Sequence, residues 1–294
     1  NTSIAESLSM AIAPTRTGMS TGTIDLTGDN AFLQFVHTTT IQNAKIKIGS
    51  TQGATLTYFN ETGGPARQLT LADTVTVDQA GKKATISSDN ADGSFVHIDG
   101  VLNAAYSNGA FSLTANDIAI GGTVTAANGD TLTIYAQTFH NTGLIAADTA
   151  GKVVLTAAKL ATSDLGTVHD TGGEFELLNT TLDNNAATLT VGAGQAIDNL
   201  SVVNTTIKGG SIWDHSTAIS YTGATLDGVA MHGDIAIDIF QSLTVLANSS
   251  LSSIDGILPQ SISLAAGSLT FKGGATLDNA NIAIGTGTIG LDFF

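Results

Sequence analysis

The sequence predicts an all-β chain wound as a right-handed parallel β-helix, and three observations predict it. The first is alternation. From residue 23 onward short runs such as AKIKIGS (44–50), TVTVDQ (74–79), TLTIYAQ (131–137), GEFELLN (173–179) and GDIAIDIF (233–240) place Val, Ile, Thr and Phe at every second position, between Gly, Asn, Asp and Ser. Period two with turn residues on both sides is the strand signal. The second is a repeated phrase: TIQNAKIKIGS (40–50) returns as TLDNANIAIGT (276–286), identical at six of eleven positions. The third is composition. Hydrophobic residues make up 42% and charged ones 12%. That is too apolar for a disordered chain and too poor in Glu, Lys and Arg for a helical one.

Residues 1–22 read differently. Ser3 and Glu6 have capping-box spacing, and Ile4, Leu8 and Ile12 share one helical face before Pro14. The expectation is a short helix capping one end of a body that runs over 23–294. A chain opening on Asn1 without Met is expected to be a piece of a longer protein, and IGLDFF at its other end is apolar enough to expect a further coil or a partner there.

Within the repeated phrase, Ile46 and Ile48, like Ile282 and Ile284, fall on one face of a strand, so both pairs are expected inside. The four residues that lead into the phrase recur as TLDN (181–184), AIDN (196–199) and TLDG (225–228). Asn suits a tight corner because it tolerates left-handed backbone, and stacked copies can form a hydrogen-bonded ladder. The uneven spacing of these tetrapeptides fits a degenerate solenoid with coils of about 20–25 residues, about 12 in all. A sandwich would need many Asn-Gly or Asp-Gly hairpins. The possible ones, such as NGD (128–130) and DGS (92–94), are few.

The stretch FHNTGLIAADTAGKVVLTAAKLATSDLGTVHDTGG (139–173) carries a more particular likeness. Through Asn141, Gly143, Ile145, Ala147, Gly151, Val153, Leu155, Ala157 and Leu160 it resembles the repeats of filamentous haemagglutinin-like exoproteins. The wider text is similar to the β-strand repeats of bacterial autotransporters. The resemblance implies a β-helix displayed outside a bacterial cell, secreted or surface-attached, and transfers no catalytic residue.

Charge narrows the partners. Ten Lys and Arg against 25 Asp and Glu give a net charge of −15. Phosphate neutralisation needs clustered cations, so neither nucleic acid nor an anionic membrane surface is expected as a partner. No run of about 18 apolar residues is present to insert into a bilayer. The chain has no cysteine, in keeping with bacterial surface proteins.

Few residues carry chemistry. A polysaccharide lyase needs a basic residue beside acidic ligands, yet no Arg follows Arg67 and the later lysines are scattered. A glycosidase needs two carboxylates about 5–9 Å apart. Glu174 and Glu176 fit at about 7 Å along a strand, and Asp234 and Asp238 fall at about 13 Å. Trp213 beside Asp214 and His215 has the makings of a sugar platform. The six histidines lack zinc spacing. SDNADGSFVHID (88–99) echoes a calcium loop through Asn90, Asp92 and Asp99, with Ser88 and Asp99 at its ends in place of Asp and Glu. Calcium is therefore the one ion the sequence leaves open, and no cofactor is expected.

Thr-x-Thr pairs at 55–57, 74–76, 123–125, 131–133 and 188–190 raise ice binding. The sequence reading is a non-enzymatic extracellular structural or adhesive element that contacts glycans or self-assembles end to end or side by side. The alternatives are a carbohydrate-active β-helix enzyme of glycoside hydrolase type, then an ice-binding β-helix.

Overall fold

A computed structural model describes residues 2–4, 10–11, 21–58, 68–88 and 93–292. The chain is a parallel β-solenoid. Every strand-to-strand ladder among the described residues is parallel, and the antiparallel contacts Ser50–Lys83 and Asp148–Gly172 are isolated bridges. There is no α-helix in these residues, only one 3-10 turn, Thr162–Leu165. By its contacts the chain forms two compact units, residues 1–157 with 164–173, and residues 158–163 with 174–294.

The helical cap expected over 1–22 does not form where that segment is described. Thr2–Ile4 and Met10–Ala11 are short strands paired with Leu33–Phe35 and with Ile41 and Gln42. Ser3, expected to cap a helix, lies in the first of them. An open sheet edge offers backbone partners that a local cap cannot match. Glu6, Leu8 and Ile12 lie outside the described residues.

In the first unit a coil contributes three strands, or two where one long strand such as Thr131–Asn141 takes the place of a pair. One sheet stacks Gly22–Leu26, Ala44–Ile48, Thr76–Gln79, Val101–Ala104, Thr123–Ala126, Leu144–Asp148 and Thr167–Thr171, seven strands deep. Coil length follows from the register: 22 residues separate Gly22 from its partner Ala44, 31 separate Lys45 from Thr76, and 21 separate Thr123 from Leu144. Parallel register puts like on like. Ile46, Val77, Leu102, Val124 and Ile145 are stacked and inaccessible. Each such aliphatic side chain stabilises by about 1.5–3 kcal/mol relative to exposure.

The second unit repeats this logic. Its clearest sheet stacks Thr188–Val191, Ser211–Asp214, Ala230–His232, Ser250–Ser252 and Thr276–Leu277. Ser211 and its partner Ala230 are 19 residues apart. Inside, Leu189, Ile212, Met231 and Leu251 form the column.

Both copies of the repeated phrase are a strand, a corner and a strand. Thr39–Gln42 leads through Asn43 at φ 53° into Ala44–Ile48. Thr276–Leu277 leads through Asn279 at φ 46° into Ala280–Ile284. The left-handed backbone expected of the asparagine is present in both. Ile46 and Ile48 are fully buried, but Ile282 and Ile284 are 39% and 54% exposed. These two sit opposite the buried Ile262 and Leu264, and no described strand pairs on their other side.

The stretch 139–173 shows why its glycines and asparagine are needed. Asn141 is buried. Its Nδ2 donates to the carbonyls of Leu165 (2.6 Å) and Thr167 (3.1 Å), and its Oδ1 accepts from Gly143 N (3.0 Å). Asn184 does the same in the second unit, donating to Gly209 O and Ser211 O and accepting from Thr162 Oγ1 at 2.7 Å. Asparagines thus bond to the backbone of the next coil, in place of the expected side-chain ladder. Gly100, Gly122 and Gly143 stand in one crowded corner. A Cβ on Gly122 would collide with the carbonyl of Gly100, and one on Gly143 with that of Gly122.

Candidate functional site

The site is built on the five-strand sheet of the second unit. In Ser211–Asp214 the side chains of Ile212 and Asp214 point inward and those of Ser211 and Trp213 outward. Parallel register then places Thr190 on one side of Trp213 and His232 on the other, with Ser252 beyond His232. The Trp213 and His232 rings lie 4.6 Å apart with 32° between their planes. His215 lies 6.4 Å from Trp213 at 29°. His232 Nδ1 is 2.9 Å from Ser252 Oγ, which fixes its ring. The outcome is a cluster of three rings on the outer face of the sheet, with those of His232 and His215 both turned to that of Trp213.

Asp214 takes another role. It is 3% exposed, and its carboxylate accepts from the backbone N–H groups of Ser216 (3.2 Å), Ala218 (2.8 Å) and Ile219 (3.1 Å). It ties down the turn after its own strand, where Thr217 has φ 52°. Asp214 and His215 therefore point different ways and form no acid–base pair. Tyr221 is buried nearby, and its phenol is pushed far up, first by burial and then by the charge of Asp214.

Beside His215 lies a cleft of about 380 Å³, walled by Ser216, Gly233, Asp234, Ser253, Asp255 and Leu258. Gly233 is obligatory: its φ is 129°, and a Cβ there would strike the carbonyl of Asp214. Asp234 Oδ1 accepts from Ser261 N at 2.8 Å. Asp255 Oδ1 accepts from Ile257 N (2.9 Å), Leu258 N (3.0 Å) and Ser253 Oγ (3.0 Å). These bonds, that of Ile257 foremost, hold the Asp255 carboxyl below the usual carboxylate range. Among the described residues no Lys or Arg lines the cleft.

Of the other residues singled out in the sequence, Glu174 and Glu176 lie in the strand Glu174–Leu178, both half-buried on its outer face. They belong to a different sheet from Trp213. Asp234 and Asp238 flank the strand Ile235–Ile237. Asn90 and Asp92 lie outside the described residues, and Asp99 sits 2.9 Å from His97 Nε2. Among the described residues no group of three metal-ligating side chains converges.

No protein-family model, curated protein or solved structure matches this chain.

Sequence reasoning missed His232, Asp234 and Asp255 as members of the site, because a coil offset of 19 residues beside Trp213 becomes contact only through the register. Of the Thr-x-Thr pairs named for ice binding, 55–57 and 131–133 fall on one hydroxyl array in the first unit, whose other members, Thr85, Ser87, Ser112 and Thr114, the sequence did not single out. Thr55, Thr85, Ser112 and Thr133 stand opposite one another on successive strands, and Thr57, Ser87 and Thr114 form a parallel column beside them. The remaining Thr-x-Thr pairs lie on other sheets.

Proposed function

We propose that this chain is a non-enzymatic structural or adhesive element of a bacterial surface or secreted protein, which contacts glycans through the ring cluster of Trp213, His232 and His215. The ring cluster carries this reading. A partly exposed aromatic cluster held on a sheet offers the apolar faces of sugar rings an amphipathic surface at little ordering cost. The likeness of residues 139–173 to filamentous haemagglutinin-like repeats supports an extracellular bacterial setting. The net charge of −15 supports a surface that repels its own kind and neither nucleic acid nor an anionic membrane as partner.

The carboxylates support binding over turnover. A glycosidase needs one carboxyl kept protonated, with its pKa raised. Asp255 is pushed the other way, and Asp214 is committed to backbone donors. A glycan array read together with reducing-sugar release tests the proposal. Binding without release, lost in Trp213→Ala, is the expected result. Sugar release abolished by Glu174→Gln or Glu176→Gln would replace it with the enzyme reading.

The hydroxyl array favours a second reading, ice binding. Its columns repeat at about 4.8 Å between strands and about 6.6 Å along them, and no charged side chain interrupts them. Thermal hysteresis that vanishes in Thr85→Tyr would promote this reading, and its absence in the unaltered chain would remove it.

A further inference from the structure

We infer that the corner at Asn128 and Gly129 is a site of spontaneous covalent modification. There Asn128 converts to isoaspartate and aspartate through attack by the Gly129 nitrogen, while the same dipeptide one coil earlier, Asn108 and Gly109, is protected.

Among the described residues eight asparagines have left-handed backbone, and in six the next residue carries a side chain. Asn30, Asn43, Asn179, Asn204, Asn248 and Asn279 precede Ala, Ser or Thr. Asn108 and Asn128 precede glycine, which has no Cβ to crowd the closing of a ring. These two corners stack on successive coils, yet they use their nitrogens differently. Asn108 is the third residue of its turn, so the nitrogen that would attack, Gly109 N, donates to Tyr106 O at 2.9 Å, and Gly109 is buried. That turn is held a second time by Tyr106 N, which donates to Asp130 Oδ2 at 2.9 Å. Asn128 is the second residue of its turn, which Asp130 N closes by donating to Ala127 O at 3.0 Å. Gly129 N therefore donates to no acceptor among the described residues; Gly129 is half-buried and Asn128 exposed. The Asn128 side chain is tethered through one bond, from Nδ2 to Ala105 O at 3.2 Å.

The step balances without an added reagent other than water. The Gly129 nitrogen gives up its proton and bonds to Asn128 Cγ, the Cγ–Nδ2 bond breaks, and ammonia leaves with that proton. Water then opens the five-membered imide at one of its two carbonyls. One opening restores the ordinary chain with a carboxylate in place of the amide. The other routes the main chain through Cγ and makes it one atom longer, which displaces Asp130 N from Ala127 O. Both products add a negative charge two residues from the buried Asp130.

The test holds the full chain at mildly alkaline pH, in buffer and in concentrated urea, and follows both dipeptides by peptide mass and by isoaspartyl methyltransferase labelling. In urea the two sites are expected to react at similar rates. In buffer Asn128 is expected to react about tenfold or more faster than Asn108, because Gly109 N must first leave its carbonyl. Asn128→Gly keeps the left-handed corner without a side-chain carbonyl, and should lose the folded-state label with circular dichroism unchanged. Equal rates in buffer, a faster change at Asn108, or an unchanged Asn128 where the urea sample reacts would each overturn the inference. A label that persists in Asn128→Gly places the reaction elsewhere and overturns it as well.

Discussion

Asp130 is the most instructive residue to perturb. It follows the turn residues Asn128 (φ 59°) and Gly129 (φ 76°) and is itself inaccessible to solvent. Its Oδ2 accepts from Tyr106 N at 2.9 Å, and its Oδ1 has no partner. Burial raises its carboxyl to about 6, against the smaller opposing effects of the Tyr106 and Thr131 N–H groups. Its unfolded value is about 3.9. Between these values the folded chain holds a proton that the unfolded chain has released. The stability Asp130 contributes is therefore full below about pH 4 and lost as pH rises through about 6. A difference of about 2 pH units sets a limit of about 3 kcal/mol. Asn128 beside it is exposed, so solvent screening brings the expected effect down to about 1–2 kcal/mol. Asp130→Asn keeps an acceptor for Tyr106 and carries no charge at any pH. Urea midpoints measured from pH 4 to 7.5 should show the variant more stable by that amount at pH 7.5, with the gap closing toward pH 4. A gap that does not change with pH, or a wild-type chain more stable at pH 7.5, would refute the reasoning.

Two further outcomes follow from the same contacts. Gly122→Ala sets a methyl group against the carbonyl of Gly100; forcing the coils apart should cost about 3 kcal/mol and lower the Tm by roughly 10 °C, read by calorimetry. Asp214→Ala removes the acceptor of three backbone donors and should destabilise by about 3 kcal/mol, whereas Asp214→Asn, which keeps one acceptor oxygen, should cost about 1 kcal/mol; denaturant titration of both variants separates this structural role from a direct role in binding.

The sequence made the solenoid legible through residues whose reason is local. Ile46 and Ile48 alternate with lysines, so one face must be buried. Asn43 and Asn279 precede strands at a corner only a left-handed residue turns easily. The reading of Ser3 and Glu6 as a helix start failed at the described positions because it weighed a local cap and could not weigh an available sheet edge. Trp213 was visible as an isolated aromatic, but its company was not. Asp214 and His215 are neighbours in the chain and look like a pair, yet alternation sends one inward to bind three N–H groups and the other outward.

What the sequence alone determined is the repeating cross-section: which residues share a strand face, where corners such as Asn43 and Asn279 fall, and a surface poor in cations, whereas the exposure of Ile282 and Ile284 follows from their place on an unpaired edge. Strand faces and corners follow from period two and backbone preference, which act over a few residues. The tertiary structure decided which outward residues become neighbours, joining His232 to Trp213 and bringing Asp234 and Asp255 to the wall of one cleft. Coil length varies from one turn to the next, so only the finished parallel register fixes which side chains stand side by side across the strands.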